Sequence, residues 1–168
     1  MIKFRLYYDK DKEEEFLNTI SKRGYELVNF FLGFYTFKKC DPNEYTYRVD
    51  LIGNKNREEL EDYMELLEDS GVVLIRRWGP WAIFKKKGEF ELYTDKESQI
   101  KLYTRIRNMF GSLGILELAC MIGPMVSYIQ YKERIALYVT ILILLTVLAF
   151  TNQVFKCNKK IKNLKNNI

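Results

Sequence analysis

The sequence predicts an α+β protein: a duplicated β-α-β-β repeat forming one antiparallel sheet of about six strands with two helices on one face, followed by a linker helix and two transmembrane helices. Three observations predict this class. Residues 24–39 and 71–86 align without a gap, and an apolar stripe at helical spacing precedes each of these segments. Residues 111–155 are almost entirely apolar, in two segments of roughly membrane length.

The repeats span about residues 1–41 and 44–88, within a predicted cytoplasmic domain of residues 1–90. Their first strands also align, since Phe4-Arg5-Leu6 corresponds to Tyr47-Arg48-Val49. Neither helix can bury its apolar stripe alone, so we expect both helices to pack on one face of a shared sheet.

Local signals define the helix ends. In the first repeat, Asp11 is the expected N-cap and Gly24 the expected stop. In the second, Asn56 and Glu59 form an expected capping box, and Gly71 is the stop. These signals place one helix between the first and second strands of each repeat.

Turn signals define the rest of the domain. The first hairpin should turn at Leu32-Gly33 and the second at Gly79-Pro80. Thr94-Asp95-Lys96-Glu97 reads as a capping box that opens a linker helix, within residues 91–110.

Residues 111–168 are predicted to form a transmembrane hairpin with a basic C-terminal tail. The expected spans are about 111–129 and 135–155, and Gly123-Pro124 is expected to break the first helix. Lysines crowd the tail after residue 155, whereas the turn at 130–134 carries only two cations and one acid. The positive-inside rule therefore predicts a multi-pass protein of a bacterial cell membrane with both termini cytoplasmic.

Catalytic constellations are missing from the sequence. There is no histidine, and the spacing of Cys40, Cys120 and Cys157 fits no metal site. Paired acids for hydrolysis, a phosphate-binding glycine loop and a nucleophile elbow are also missing. We therefore expect a protein that is not an enzyme and that has no metal site and no cofactor.

Strand alternation predicts a binding surface. Phe4 and its equivalent Tyr47 should lie under the helices, together with Ile2, Leu6, Val49 and Leu51. The opposite, open face would then carry Arg5, Tyr7, Arg48 and Asp50. If the repeats pair through these strands, Arg5 and Arg48 could together hold an anionic ligand or a partner's carboxylates. In the competing interpretation Arg48 pairs with neighbours of Asp50 and Arg5 with Glu26, which leaves a solvated charged face.

The composition of the two hairpins indicates further candidate binding residues. Arg76, Trp78 and Trp81 lie in the second hairpin, where arginine and tryptophan are typical of binding hot spots, although we expect at least one tryptophan in the core. The first hairpin, from Phe30 to Phe37, is apolar on both faces, which indicates a contact with another element, a ligand or a protein. Glu117 is the polar candidate within the first span, or a shallow residue at its edge.

Three strings support a family resemblance: Tyr35-Thr36-Phe37-Lys38-Lys39, Glu44-Tyr45-Thr46-Tyr47-Arg48-Val49-Asp50 and Phe90-Glu91-Leu92-Tyr93-Thr94-Asp95. With the spacing to Trp81 and the C-terminal span pair, they resemble a bacterial family of membrane-anchored proteins known as domain of unknown function 2812. Genes of that family often lie beside PadR-type transcriptional regulators. The doubled β-α-β-β plan also resembles the drug-binding effector domains of some bacterial regulators, a likeness of fold alone.

The resemblance implies a membrane-bound, non-enzymatic regulatory or adaptor protein whose cytosolic domain binds a protein partner, with a PadR-like regulator the expected one. Membrane lipid is an expected partner of the spans and tail, and direct nucleic-acid binding is not expected. Two alternatives stay open: a tethered sensor of small amphiphiles or drugs, and an accessory subunit of a membrane transport or stress-response complex.

Overall fold

The computed structural model describes residues 1–53 and 55–166 and divides the chain after Leu92 into two compact units. The first, here the head unit, contains two β-α-β-β repeats, as predicted. The second, here the helical hairpin, contains two long helices. The elements are, in order, β1 (Ile2–Phe4), α1 (Lys10–Ser21), β2 (Tyr25–Phe31), β3 (Phe34–Lys39), β4 (Tyr45–Leu51), α2 (Arg57–Asp69), β5 (Val73–Trp78), β6 (Trp81–Lys87), α3 (Lys96–Tyr131) and α4 (Arg134–Asn166).

The six strands form two antiparallel three-stranded sheets. Sheet A has the order β1-β3-β2 and sheet B the order β4-β6-β5, so each repeat builds its own sheet with the same strand order. The predicted strands are confirmed, but their hydrogen bonding into one sheet is not. The reason lies at β4, whose outer edge is already occupied.

Side chains of α1 occupy that outer edge of β4. Ser21 Oγ donates to the carbonyl of Tyr45 at 2.6 Å. Asn18 accepts from the N–H of Tyr47 at 2.9 Å and donates to its carbonyl at 3.2 Å. Glu14 Oε1 accepts from the N–H of Val49 at 2.7 Å. Three side chains about one helical turn apart thus bind alternate strand residues, and the edge cannot accept another strand.

Sheet A buries only one of its faces. Leu27, Phe30, Tyr35 and Phe37 are at most 4% exposed, and the Phe16 ring of α1 lies 5.4 Å from that of Tyr35. The opposite face is solvent-exposed and includes Ile2 and Phe4. The prediction that Ile2, Phe4 and Leu6 lie under the helices is wrong, because the alternation of the short β1 does not show which face α1 covers.

In sheet B, β4 and most of β6 are covered on both faces, whereas β5 is largely exposed. The core on one side of sheet B consists of Ile52, Val72, Ala82 and Phe84, against which the α2 stripe Leu60, Tyr63, Met64 and Leu67 packs. On the other side Tyr47, Val49 and Leu51 are buried, and Tyr47 Oη accepts from the N–H of Leu27 in sheet A at 2.8 Å. Tyr47, Val49 and Leu51 are therefore buried as predicted, but they pack against the first repeat and not beneath α2.

The helix caps follow the sequence with two shifts, in α1 and in α3. α1 begins at Lys10, because the carboxylate of Asp9, not Asp11, is the N-cap and accepts from the N–H of Asp11. The capping box of Asn56 and Glu59 is present as predicted. In α3 the N-cap is Asp95, not Thr94 of the predicted capping box, and its carboxylate accepts from the N–H of Ser98 at 2.7 Å.

The helical hairpin has a packed end and an exposed apolar middle. Leu102, Ile106 and Phe110 of α3 and Cys157 and Ile161 of α4 are buried, and the rings of Phe110 and Phe150 lie 5.4 Å apart. Between this end and the turn, apolar side chains such as those of Ile115, Leu116, Leu142 and Leu145 are mostly exposed. Both helices are long and apolar enough to cross a membrane.

The predicted linker helix and first span are one continuous helix. α3 runs from Lys96 to Tyr131 with Pro124 inside it, so the expectation that Gly123-Pro124 breaks the helix is wrong. Proline is tolerated within apolar helices of this length because neighbouring groups and local adjustment of the backbone satisfy the freed carbonyl.

Candidate partner-binding surfaces

Arg76 and Trp78 lie on the same side of β5. The strand register places Arg76 opposite Ile83 and Trp78 opposite Trp81 in β6. Trp78 is 36% exposed and its ring packs 5.5 Å from that of Phe30. This is a half-exposed indole held at a fixed angle by an aromatic neighbour, with a guanidinium beside it.

Trp81 belongs to the core. It is 8% exposed, whereas its cross-strand neighbour Trp78 stays accessible. The prediction that at least one tryptophan is core is confirmed, and Trp81 is therefore a structural residue.

The arginines of β5 are free to act on a partner. Arg76 and Arg77 are both exposed, and neither forms an ion pair with any residue in the ranges 1–53 and 55–166. Because the strand alternates, Arg77 lies on the opposite side from Arg76. The exposed side chains of β5 thus present two cations, Trp78, and the apolar residues Val73 and Leu74, which are 52% and 42% exposed.

Arg48 is already engaged within the head unit. Its guanidinium forms a two-pronged ion pair with Glu91, with Nε 2.9 Å from Oε2 and Nη2 bonded to Oε1. Nη1 donates to the carbonyl of Tyr47 at 2.8 Å, and the guanidinium lies 5.8 Å from the centre of the Phe90 ring. The acid that binds Arg48 is Glu91, which follows β6 and is not one of the neighbours of Asp50 that the competing interpretation expected.

Asp50 is not on an open face. Its side chain is fully buried and accepts from the hydroxyl of Tyr63 on α2 at 2.9 Å and from the N–H of Leu51 at 2.9 Å. The predicted open face of Arg48 and Asp50 is wrong, because α2 packs on this side of sheet B. Asp50 instead links β4 to α2.

Arg5 and Tyr7 lie in the segment between β1 and α1. Arg5 is exposed, and its backbone N–H donates to the carbonyl of Gly33 at 2.9 Å. The Tyr7 ring lies 5.5 Å from that of Phe16. The strands β1 and β4 belong to different sheets, so they do not bring Arg5 and Arg48 together as strand neighbours. Glu26, the predicted partner of Arg5, instead binds Lys38 at 3.0 Å and Lys85.

A buried acid was missed by the sequence reasoning. Glu13 on α1 is 4% exposed and accepts from the hydroxyl of Tyr35 at 2.6 Å. Burial raises the pKa of the Glu13 carboxyl to about 7 and raises that of the Tyr35 hydroxyl. The signal was present in the sequence: Glu13, Leu17 and Ile20 share one face of α1 at helical spacing.

Glu117 is placed within the hairpin. Its carboxylate accepts from Thr146 Oγ1 of α4 at 2.8 Å. The contact joins the two helices in the part of the hairpin where most side chains are apolar and exposed.

Metal-ligating side chains do not cluster in the parts of the chain that the structure describes. Across residues 1–53 and 55–166, no group of three or more His, Cys, Asp or Glu side chains could hold a metal ion. Cys40 and Cys120 are free thiols.

These features define a class: a duplicated β-α-β-β unit with exposed aromatic and basic side chains, joined to a pair of helices of membrane-spanning length. The chain matches the model of the family described as "Protein of unknown function (DUF2812)" over residues 9–115, more than half its length, and it belongs to that family. No curated protein and no solved structure matches it.

Proposed function

We propose that the protein is a membrane-anchored, non-enzymatic regulatory or adaptor protein whose head unit binds a protein partner in the cytosol. The observation that carries this proposal is the exposed surface of β5, with Trp78 fixed against Phe30 and with Arg76 and Arg77 unpaired in the described ranges. Tryptophan and arginine dominate binding energies in protein interfaces because each offers a large contact area together with directed hydrogen bonds.

The charge of this surface indicates the chemistry of the partner. Two unpaired guanidiniums favour a partner that presents carboxylates, since bidentate arginine–carboxylate pairs combine strength with orientation. The indole of Trp78, on the same side of β5 as Arg76, favours an apolar or aromatic residue of the partner beside that carboxylate. The family resemblance supports a PadR-like transcriptional regulator as this partner.

Capture from native membranes tests the proposal. Tagged full-length protein is cross-linked in cells and purified, and the co-purifying proteins are identified by mass spectrometry. We expect a PadR-like regulator with the native chain and its loss with the double variant Arg76→Ala, Trp78→Ala. Arg57→Ala is the matched control, because Arg57 is an exposed arginine on α2 whose ion pair within the described ranges is with Glu61, one turn away. Capture that is equal in all three chains counts against the β5 surface, and capture of no regulator counts against the partner.

Anchoring in a bacterial cell membrane with both termini cytoplasmic is part of the same proposal. The length and apolar surface of α3 and α4 support it, as do the lysines beyond residue 155. A C-terminal green fluorescent protein should fluoresce and a C-terminal alkaline phosphatase should stay inactive. The reverse pattern would place the tail outside the cell.

One observation favours a second function, the sensing of small amphiphiles. Glu13 is a buried acid among the aromatic rings Tyr7, Phe16 and Tyr35, and such a group attracts a cation whose remaining surface is apolar. The melting temperature of the full chain in detergent would be measured with added cationic amphiphiles and, separately, with added anionic amphiphiles. Stabilisation by cations alone, lost in Glu13→Gln, would support sensing, and unchanged melting in both series would remove it.

A further inference from the structure

The outer side of sheet A carries six exposed apolar residues, here called the apolar face: Ile2, Phe4, Leu6, Phe31, Leu32 and Phe34. Each is between 50% and 68% exposed. The strand register places Phe34 between Phe4 of β1 and Phe31 of β2, and the rings of Phe4 and Phe34 lie 4.8 Å apart. A cluster of this size on one sheet face is uncommon on a protein that meets only water.

Leu32, at the tip of the apolar face, does not stabilise the head unit on its own. Leu32 occupies the first position of the Leu32-Gly33 turn with φ 45°, a left-handed conformation that Asn or Gly adopts at lower cost. Its side chain is also 68% exposed. A leucine here gains neither backbone stability nor burial, which indicates that it serves a contact outside the head unit.

The charge around the face has one sign. The exposed charged residues nearest the face are Arg5, Lys38 and Lys39, whereas Glu26 beside Lys38 is only 4% exposed and Lys3 lies on the other side of β1, opposite the buried Tyr35. Lys38 is bound to Glu26, yet 61% of its side chain remains exposed. Apolar and aromatic side chains flanked by cations are the composition of surfaces that bind anionic membranes.

We propose that the apolar face docks on the lipid bilayer, with Leu32, Phe31 and Phe34 at the boundary of the acyl chains and the flanking cations at anionic headgroups. The inference rests on the proposed membrane anchoring. Because the same chain carries the anchor, the face remains at a high local concentration near lipid, and weak contacts are sufficient. A second copy of the chain is disfavoured as the occupant, since two such faces would bring like charges together.

Site-directed fluorescence on the full chain in vesicles tests the docking. Single cysteines carrying an environment-sensitive dye are placed at Leu32→Cys and, as a matched control, at Leu66→Cys. Leu66 on α2 is equally exposed, at 67%, but lies among acidic residues. The background carries Cys40→Ser, Cys120→Ala and Cys157→Ala, and circular dichroism confirms that each variant folds. A third site, Leu145→Cys in the exposed middle of α4, reports on the anchor itself.

Quenching is then measured with lipid-attached and with aqueous quenchers. We expect lipid quenching at position 32 to exceed that at position 66 by at least about twofold in vesicles with anionic lipid, and to fall at high salt. Equal aqueous quenching at positions 32 and 66 would overturn the docking. So would protection of position 32 from both quenchers, which would indicate a protein occupant. Failure of lipid quenching at position 145 would instead refute the anchoring on which the proposal rests.

A second pair of variants avoids the dye and the altered cysteines. Leu32→Asn suits the turn conformation, so it should fold at least as stably while weakening contact with lipid. Hydrogen exchange at residues 31–34 of the full chain should be slower in anionic than in neutral vesicles, and this difference should disappear in Leu32→Asn. An identical exchange rate in both kinds of vesicle would contradict the proposal.

Discussion

Asn18 on α1 binds the backbone of Tyr47 on β4 through both ends of its side-chain amide, accepting from the N–H and donating to the carbonyl. The amide thus replaces one residue of a neighbouring strand. Together with Glu14 and Ser21 on either side of it, Asn18 pairs the backbone N–H and C=O groups at the outer edge of β4 that would otherwise be available to another strand.

Asn18→Leu should therefore destabilise the head unit by about 1–2 kcal/mol, since it leaves the partly buried N–H of Tyr47 without a partner, whereas the Tyr47 carbonyl keeps its hydrogen bond from Arg48. Hydrogen exchange of β4 amides in the full chain measures the change. Glu15→Ala is the control, because Glu15 is exposed on the same helix and should alter exchange little. Equal effects of the two variants would show that the amide contributes nothing.

The stability of the head unit should fall as the pH rises from about 5 to 8. Burial raises the pKa of Glu13 to about 7 in the folded chain from an ordinary 4.5, so folding favours the protonated carboxyl. The folded state then binds more protons than the unfolded state in this window, and stability decreases with pH by at most about 3 kcal/mol. Glu14, whose pKa burial also raises despite Lys10, contributes in the same direction.

The variant Glu13→Gln distinguishes the contribution of Glu13 to this pH dependence from that of Glu14. Glutamine keeps an oxygen for the Tyr35 hydroxyl and does not titrate, so the variant should be more stable than the native chain at pH 8 and show a flatter profile. Urea-dependent proteolysis of the head unit across this pH range gives the comparison. A profile as steep as that of the native chain would exclude Glu13 as the source.

The two tryptophans of the second hairpin should behave differently. Trp81→Ala removes a buried side chain and should cost about 3–5 kcal/mol of unfolding free energy. Trp78→Ala should cost clearly less, because about a third of that side chain is already exposed, while reducing capture of the partner. Thermal unfolding and capture measured on the same preparations distinguish the roles, and equal losses of stability would contradict them.

Thr146→Val should weaken the association of α3 and α4 only slightly, by about 0.6 kcal/mol, the average found for hydrogen bonds between helices in membranes. The variant removes the donor to Glu117 and keeps the shape of the side chain. Steric trapping of the full hairpin in bicelles measures the difference. Ser112→Ala, at an exposed hydroxyl bonded only within α3, is the control.

The repeat could be predicted because its signals are local. Glycines such as Gly24 and Gly71, the capping box of Asn56 and the turn at Gly33 each define the backbone around them, and together they gave the element order. The lengths and apolar runs of α3 and α4 were visible for the same reason. Interactions within a few residues decide these features.

The faces could not be predicted, because they depend on contacts between distant segments. The alternation of β4 separates Val49 from Asp50 but does not say that α2 covers the side of Asp50. Likewise, the ion pair of Arg48 joins residues far apart in the chain, and only the fold brings Glu91 to it. The two-sheet arrangement depends on Asn18 and its neighbours on α1, which as single polar residues resemble an ordinary solvated helix face.

The continuity of α3 has a mechanical consequence. An unbroken helix from Lys96 to Tyr131 is about 54 Å long, well beyond the roughly 30 Å of hydrocarbon in a bilayer. No break interrupts α3. A rotation of the helix about its axis, or a change of its tilt in a thinner bilayer, therefore also moves its first residues. If the helix is anchored as proposed, a change in bilayer thickness would thus be transmitted to whatever is attached at Lys96.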